Sequence, residues 1–84
     1  MTPEATRLLY ERLTPRERDY ARLLVTGTTT NKDIADAMGV NYGWINRYAT
    51  SLFDKTGTDN RVELALFIVR HPELEELLCS QKSV

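Results

Sequence analysis

Apolar side chains recur every three or four positions between residues 30 and 57, which is the period of an amphipathic α-helix. One stripe comprises Ile34, Ala35 and Met38, and a second comprises Ile45, Ala49 and Leu52. Gly39 lies between the stripes, where a residue that tolerates positive φ can end a helix at little steric cost. The pattern predicts two helices, over residues 31–38 and about 42–56, joined by a tight turn.

The residues at this turn are typical of a helix-turn-helix unit. Asn41 can cap the second helix, because its side chain can accept a hydrogen bond from a free backbone N–H of the first turn. Ala35 is small enough to let two helices approach closely. Gly39 and Ile45 follow it at intervals of four and six residues. This spacing indicates a unit of the kind that binds DNA.

The segment before this unit predicts two more helices. Residues 3–12 form a short amphipathic segment whose inner side we expect to carry Ala5, Leu8 and Leu9. The second helix begins with a capping box, in which Thr14 is the N-cap and Glu17 its partner three residues later. It should run to about Thr26 and carry an apolar stripe of Tyr20, Ala21, Leu24 and Val25. A polar loop of three threonines follows, residues 28–30.

The segment after the unit predicts one full helix and one short one. Residues 61–70 are largely apolar, with Asp59 as the expected N-cap. His71-Pro72 should end this helix, because proline cannot continue one. Residues 73–78 then predict a last helical turn or two.

Length and composition indicate one small domain over residues 1–84. The chain has a formal net charge of −1, one cysteine and one histidine. No apolar run approaches the roughly 20 residues of a membrane span, and the N-terminus lacks a secretory signal. We therefore expect a cytoplasmic protein with no membrane association. We also expect no cofactor, no metal site and no enzyme activity, because no catalytic or ligating set of residues is evident.

A larger set of motifs resembles the LuxR/GerE-type helix-turn-helix family of bacterial transcription regulators. The matching residues are Leu13-Thr-Pro-Arg-Glu-Arg, Gly27, Asn31-Lys-Asp-Ile-Ala, Gly39-Val, Ile45, Leu52, Lys55, Gly57 and Arg61-x3-Ala65. The resemblance covers about residues 13–70. It implies an all-α, four-helix domain, to which the chain adds short N-terminal and C-terminal helical extensions. Because no receiver or ligand-binding domain is attached, we expect a stand-alone bacterial or phage member.

The resemblance implies that the third of the four helices enters the major groove of duplex DNA. Arg47 can then pair bidentately with guanine and Asn46 with adenine. The N–H groups at the start of the preceding helix offer a phosphate site. Lys55 suits either a phosphate contact or a solvated surface position. The expected DNA-binding residues are Thr30, Asn31, Lys32, Trp44, Asn46, Arg47, Thr50 and Lys55.

The fourth helix of the family commonly forms a dimer contact. In this chain the helix carries more apolar surface than one small core needs. The residues expected at a homodimer interface are Val62, Leu66 and Val69. The first hypothesis is therefore a small transcription regulator that binds duplex DNA as a homodimer.

The third helix also departs from its family, and the departure leaves a second hypothesis open. The family usually has Thr-Val-Lys-x-His where this chain has residues 44–48, Trp-Ile-Asn-Arg-Tyr. Tyr42 and Trp44 precede the buried stripe and are expected to be exposed, and exposed aromatics are favoured anchors in protein interfaces. Net charge near zero is also unusual for a DNA-binding domain. The alternative is a protein-binding module that captures and blocks another regulator.

Overall fold

The computed structural model of the chain describes residues 2–27 and 30–80, so most of the threonine loop predicted at residues 28–30 lies outside the described residues. Over these ranges the secondary structure is helical, which confirms the all-α class. The helices are α1 (Pro3–Arg12), α2 (Pro15–Val25), α3 (Asn31–Met38), α4 (Tyr42–Thr56), α5 (Arg61–Val69) and α6 (Pro72–Cys79). The four-helix unit implied by the family resemblance corresponds to α2–α5, and α1 and α6 are the two extensions.

Polar caps fix where the helices begin. The capping box of α2 is confirmed: the Glu17 backbone N–H donates to Thr14 Oγ1 at 3.2 Å, and the Thr14 N–H donates to Glu17 Oε1 at 2.9 Å. The expected cap of α5 was wrong by one residue. Asn60 accepts from the Glu63 N–H at 2.9 Å, and the Glu63 carboxylate accepts from the Asp59 N–H. Glu63 therefore pairs with the backbone of Asp59, and Asn60 takes the cap position.

The turn between α3 and α4 is built as the sequence predicts. Gly39 has φ +70° and ψ +31°, the left-handed conformation that ends a helix and that glycine adopts without a Cβ clash. Asn41 Oδ1 then accepts a hydrogen bond from the Trp44 N–H at 3.2 Å. These two residues set the angle at which α4 leaves α3.

The core is shared by the helices, with α2 packing against α3, α4, α5 and α6. Its largest fully buried side chains are Tyr20, Ile34, Ile45, Leu52, Leu64, Ile68, Leu74, Leu78 and Thr6. Burial of this much apolar surface is the main force that holds short helices together, because none of them would be stable alone. No helix in the described part of the chain combines the length and the apolarity of a membrane span.

The expected inner face of α1 was right at Leu9 and wrong at Leu8. Leu8 is 58% exposed, whereas Thr6 and Leu9 are buried. Thr6 can be buried because its hydroxyl donates to the Thr2 carbonyl at 3.0 Å, which satisfies the group within the helix. The apolar residues of α1 lie on two adjacent faces, so periodicity alone did not select the face that packs on α6 and α4.

Candidate nucleic-acid interface

The burial of α4 determines which of its side chains reach solvent. Ile45, Ala49 and Leu52 are 0–5% exposed and fix the helix against the core. Because side chains on the opposite side of a helix face away from such a stripe, Asn46, Arg47 and Thr50 are exposed. The structure therefore brings the three expected base-contacting residues onto one outward surface. Their contact with DNA stays a prediction.

This outward surface is an open strip along the helix. It is lined by Asn46, Arg47, Thr50, Ser51 and Asp54. The strip offers the Asn46 amide, the Arg47 guanidinium and the Thr50 hydroxyl, which are groups that hydrogen-bond to base edges. Asp54 adds a negative charge at the C-terminal end, so the strip as a whole is close to neutral.

An aromatic and cationic cluster occupies the N-terminal half of α4. Trp44 is 47% exposed, and its ring stacks on that of Tyr48 with centroids 6.2 Å apart and planes at 26°. The Arg47 guanidinium carbon lies over the Trp44 ring at 5.0 Å from its centroid, a cation–π geometry. Tyr48 is half-buried against the core, as its place between Ile45 and Leu52 predicts. Sequence reasoning identified these residues separately and missed the cluster, although their spacings of three and four residues are those of helix neighbours.

The start of α3 provides the second part of the candidate interface. Lys32 is exposed. Thr30 caps the helix by accepting from the Asp33 N–H at 3.1 Å, and its hydroxyl retains a proton to donate. Asn31 Oδ1 accepts from the Tyr20 hydroxyl at 2.9 Å, which leaves its NH₂ group as the donor. Burial raises the pKa of Tyr20, so this phenol remains a donor that holds Asn31 in place.

Lys55 lies on the inner side of α4, and the expectation of a solvated surface position was wrong. Its Nζ donates to Glu17 Oε1 at 2.7 Å and to the Arg12 carbonyl at 2.9 Å. Glu17 is only 4% exposed. The ammonium group therefore connects α4 to the junction of α1 and α2. A phosphate contact by Lys55 stays a prediction, and it would compete with this internal ion pair.

The electrostatics of Glu17 reflect the same set of contacts. Burial by itself would raise the pKa of this carboxyl, because it disfavours the charged form. Hydrogen bonds from Lys55, Ser51 and the Thr14 backbone, together with the Lys55 charge, outweigh that effect and hold the pKa below its ordinary value. Glu17 is thus ionised at neutral pH.

Two further surfaces carry the residues that were expected to contact partners. On α5 the three residues expected at a dimer interface are exposed: Val62 at 69%, Leu66 at 42% and Val69 at 46%. Tyr42, at the start of α4, is 54% exposed, as predicted. Contact of either surface with a partner stays a prediction. Among residues 2–27 and 30–80, no group of three or more metal-ligating side chains comes together.

Helix pairs of this geometry, with a capped second helix that presents polar side chains outward, define a helix-turn-helix module. Residues 11–68 match the family described as bacterial regulatory proteins, luxR family. The chain belongs to this family.

Two curated relatives resemble the chain over much of its length. It is 38% identical over 58 residues to response regulator Rre1 of Synechocystis sp., a match that covers 69% of this chain and 25% of that protein. It is 34% identical over 70 residues to the probable transcriptional regulator ycf29 of Porphyra purpurea, covering 83% of this chain and 32% of that protein. The chain thus spans between a quarter and a third of each relative's length. No solved structure matches it.

Proposed function

We propose that this chain binds duplex DNA in a transcription regulator, with α4 lying in the major groove. The observation that carries the proposal is the outward strip of Asn46, Arg47 and Thr50 on the second helix of a luxR-family helix-turn-helix. An α-helix fits the major groove, where each base pair presents a distinct set of donors and acceptors. The relatives named as a response regulator and a probable transcriptional regulator support the same class of activity. A regulator of this kind would act in the cytoplasm.

Each candidate residue has a chemical role in this proposal. Arg47 donates two N–H groups to guanine O6 and N7, and Asn46 pairs with adenine. Thr50 either hydrogen-bonds to a base edge through its hydroxyl or contacts a thymine methyl group through its own methyl group. Phosphate oxygens accept from the Trp44 indole N–H and from the start of α3, where Thr30, Asn31 and Lys32 provide the donors.

We further propose that the regulator is a homodimer joined through α5. Val62, Leu66 and Val69 are each at least 42% exposed, and burial of such side chains favours association. Two-fold symmetry would place the two copies of α4 about one turn of DNA apart, roughly 34 Å. Two half-sites would also compensate for the small number of cations on each α4.

A salt titration of binding to duplex DNA tests the proposal. Fluorescence anisotropy of a labelled duplex should show an affinity that falls as salt is added. The logarithm of the binding constant should fall linearly with the logarithm of the salt concentration, with a slope of about −0.9 per neutralised phosphate. Because Lys32 is the exposed cation that the proposal places on a phosphate, while Arg47 reads a base, the slope should be shallow, roughly −1 per protomer. Absence of duplex binding at low salt would overturn the proposal.

A single substitution tests the assignment of Arg47. Arg47→Ala should cost about 1–3 kcal/mol of discrimination at one base pair if the side chain reads a guanine. Arg7→Ala is the matched control, because Arg7 is also an exposed helical arginine but belongs to α1 and not to the outward strip of α4. An equal loss of affinity for all sequences would instead identify Arg47 as a phosphate contact.

The exposure of Tyr42 and Trp44 favours one other function, a protein-binding module that captures another regulator. At 54% and 47% exposure, these rings resemble the aromatic anchors of protein interfaces. The salt titration also separates the two functions, because a protein-binding module has no reason to bind duplex DNA at low salt.

A further inference from the structure

Arg47 and Trp44 form a unit whose geometry matters for how the helix would read DNA. The guanidinium carbon of Arg47 lies 5.0 Å from the centroid of the Trp44 ring. Arginine that stacks on an aromatic ring uses its flat face, and the N–H donors lie in the plane of the guanidinium. A guanidinium that lies face-on over the Trp44 ring would therefore keep its hydrogen-bonding edge available.

Nothing else in the described structure occupies that edge. Across residues 2–27 and 30–80, no hydrogen bond or ion pair joins Arg47 to another side chain or carbonyl. By contrast, Arg18 donates twice to the Tyr10 carbonyl while its guanidinium carbon lies 4.1 Å from the centroid of the Tyr10 ring. Arg18 thus uses its donors internally beside an aromatic ring, whereas Arg47, within the described residues, keeps its donors free beside Trp44.

Trp44 is itself held in place by the fold. Its ring stacks on Tyr48 at 6.2 Å, and Tyr48 packs against the hydrophobic core. Contacts therefore lead from the core through Tyr48 and Trp44 to Arg47. An exposed arginine with free rotation loses much conformational entropy when it binds, and this arrangement removes part of that loss beforehand.

We propose that Trp44 is a positioning residue for base reading by Arg47. It holds the guanidinium flat against the indole ring while the N–H edge pairs with a guanine in the major groove. This role differs from a direct phosphate contact by the indole N–H, and it rests on the proposed function of the chain. It also explains how a helix with few cations can discriminate between bases, since a pre-ordered arginine binds at a smaller entropic cost.

The arrangement in the free protein can be tested without DNA. In NMR spectra, the side-chain protons of Arg47 should be shifted upfield by the ring current of Trp44. The shift should disappear in Trp44→Ala and persist in Trp44→Phe, which keeps an aromatic ring. Unshifted Arg47 protons in the wild-type protein would overturn the proposal whether or not DNA binds.

The role in base reading is tested by a double-mutant cycle on the full chain. Duplexes selected by the wild-type protein from a random library, and single-base variants of them, serve as the probes. Trp44→Ala should reduce discrimination at the Arg47-dependent base pair by roughly two- to fivefold, as expected for an exposed cation–π contact. Trp44→Phe should restore most of it, and Trp44→Ala should have no further effect on discrimination in an Arg47→Ala background.

The outcomes separate this proposal from the function on which it rests. If the losses of discrimination in Trp44→Ala and Arg47→Ala simply add in the double variant, Trp44 does not act through Arg47, although DNA binding itself would stand. A wild-type chain that selects no duplex would overturn the proposed function, and base reading by Arg47 with it. Circular dichroism and thermal unfolding of each variant establish that α4 remains folded.

Discussion

At the scale of single residues, the buried carboxylate of Glu17 shows how one side chain can serve several elements. It accepts from the Thr14 N–H at the start of α2 and from Lys55 Nζ on α4. Lys55 in turn donates to the Arg12 carbonyl at the end of α1. A buried carboxylate that lost these donors would incur a large desolvation cost. The pair therefore fixes α4 relative to α1 and α2, and so helps to orient the outward strip.

Removal of the lysine should destabilise the fold. We expect Lys55→Ala to lower the free energy of unfolding by about 1–3 kcal/mol, because Glu17 would remain buried with fewer donors. Urea denaturation followed by circular dichroism measures the change. Lys32→Ala, at an exposed lysine on α3, is the control and should stay within about 0.5 kcal/mol of wild type. Equal effects of the two substitutions would contradict a structural role for Lys55.

The same carboxylate should make stability depend on pH. The folded state holds the pKa of Glu17 below its ordinary value of 4.5. Its stabilising contribution is thus complete above the unfolded-state pKa and is lost as the pH falls through the folded-state pKa. Glu17→Gln keeps a side chain that suits a capping box but removes the charge.

Urea titrations between neutral pH and about pH 3 should therefore show a weaker loss of stability in Glu17→Gln than in wild type. Glu4→Gln, at an exposed glutamate on α1, should retain the wild-type dependence. If the stability of Glu17→Gln fell with pH as steeply as that of the wild type, this carboxylate would not control the loss of stability in acid.

At the scale of elements, the turn of the helix-turn-helix depends on the backbone conformation of Gly39. Any other L-residue is strained at φ +70°. Gly39→Ala should therefore cost about 1 kcal/mol of stability. Gly43 lies in the first turn of α4, where an added Cβ would meet Asn41 Oδ1 at 3.4 Å, an ordinary contact.

Gly43→Ala should consequently be neutral or stabilise by up to about 1 kcal/mol, because alanine favours helix more than glycine does. Thermal unfolding of the two variants gives the comparison. A stabilising Gly39→Ala would mean that the turn adopts another conformation in solution.

Local signals predicted the elements well because the caps and the helical period are properties of neighbouring residues. Thr14, Glu17, Gly39 and Asn41 act within four positions of their partners, so the sequence contains the whole interaction. The Glu17–Lys55 pair joins residues 38 positions apart, and no local pattern specifies such a contact. The inner face of α1 was missed for a related reason, since its choice depends on where α6 and α4 lie.

For the candidate site, the sequence predicted which side chains face outward but not how they contact one another. The outward placement of Asn46, Arg47 and Thr50 follows from the buried stripe of α4, which periodicity reveals. The stacking of Arg47 on Trp44 depends on side-chain rotamers and on the support of Tyr48, which the spacing permits but does not determine.

At the scale of the whole molecule, α1 and α6 contribute to the hydrophobic core together with the family-matched residues 11–68. Leu74 and Leu78 of α6 are each 1% exposed, and α6 packs on α1, α2 and α5. The extensions therefore bury apolar surface that the four-helix unit would otherwise expose. Val62, Leu66 and Val69 of α5 remain exposed, which is why the proposed dimer contact involves them.

A charged substitution on α5 should dissociate the proposed dimer. Leu66→Glu would place a carboxylate in an apolar contact, which is costly without a partner, and sedimentation should then report a monomer. Leu8→Glu is the matched control, because Leu8 is 58% exposed on α1. A Leu66→Glu protein that remains a dimer would show that another surface carries the contact.

The central claim is that the outward surface of α4 binds duplex DNA. The most direct test is an NMR map of backbone amide shifts in the full chain, labelled with ¹⁵N, as duplex DNA is added. The largest changes should fall on residues 42–54 and 30–32, with α1 and α6 nearly unaffected. Changes that centre on α5 or α6, or no changes at low salt, would contradict the claim.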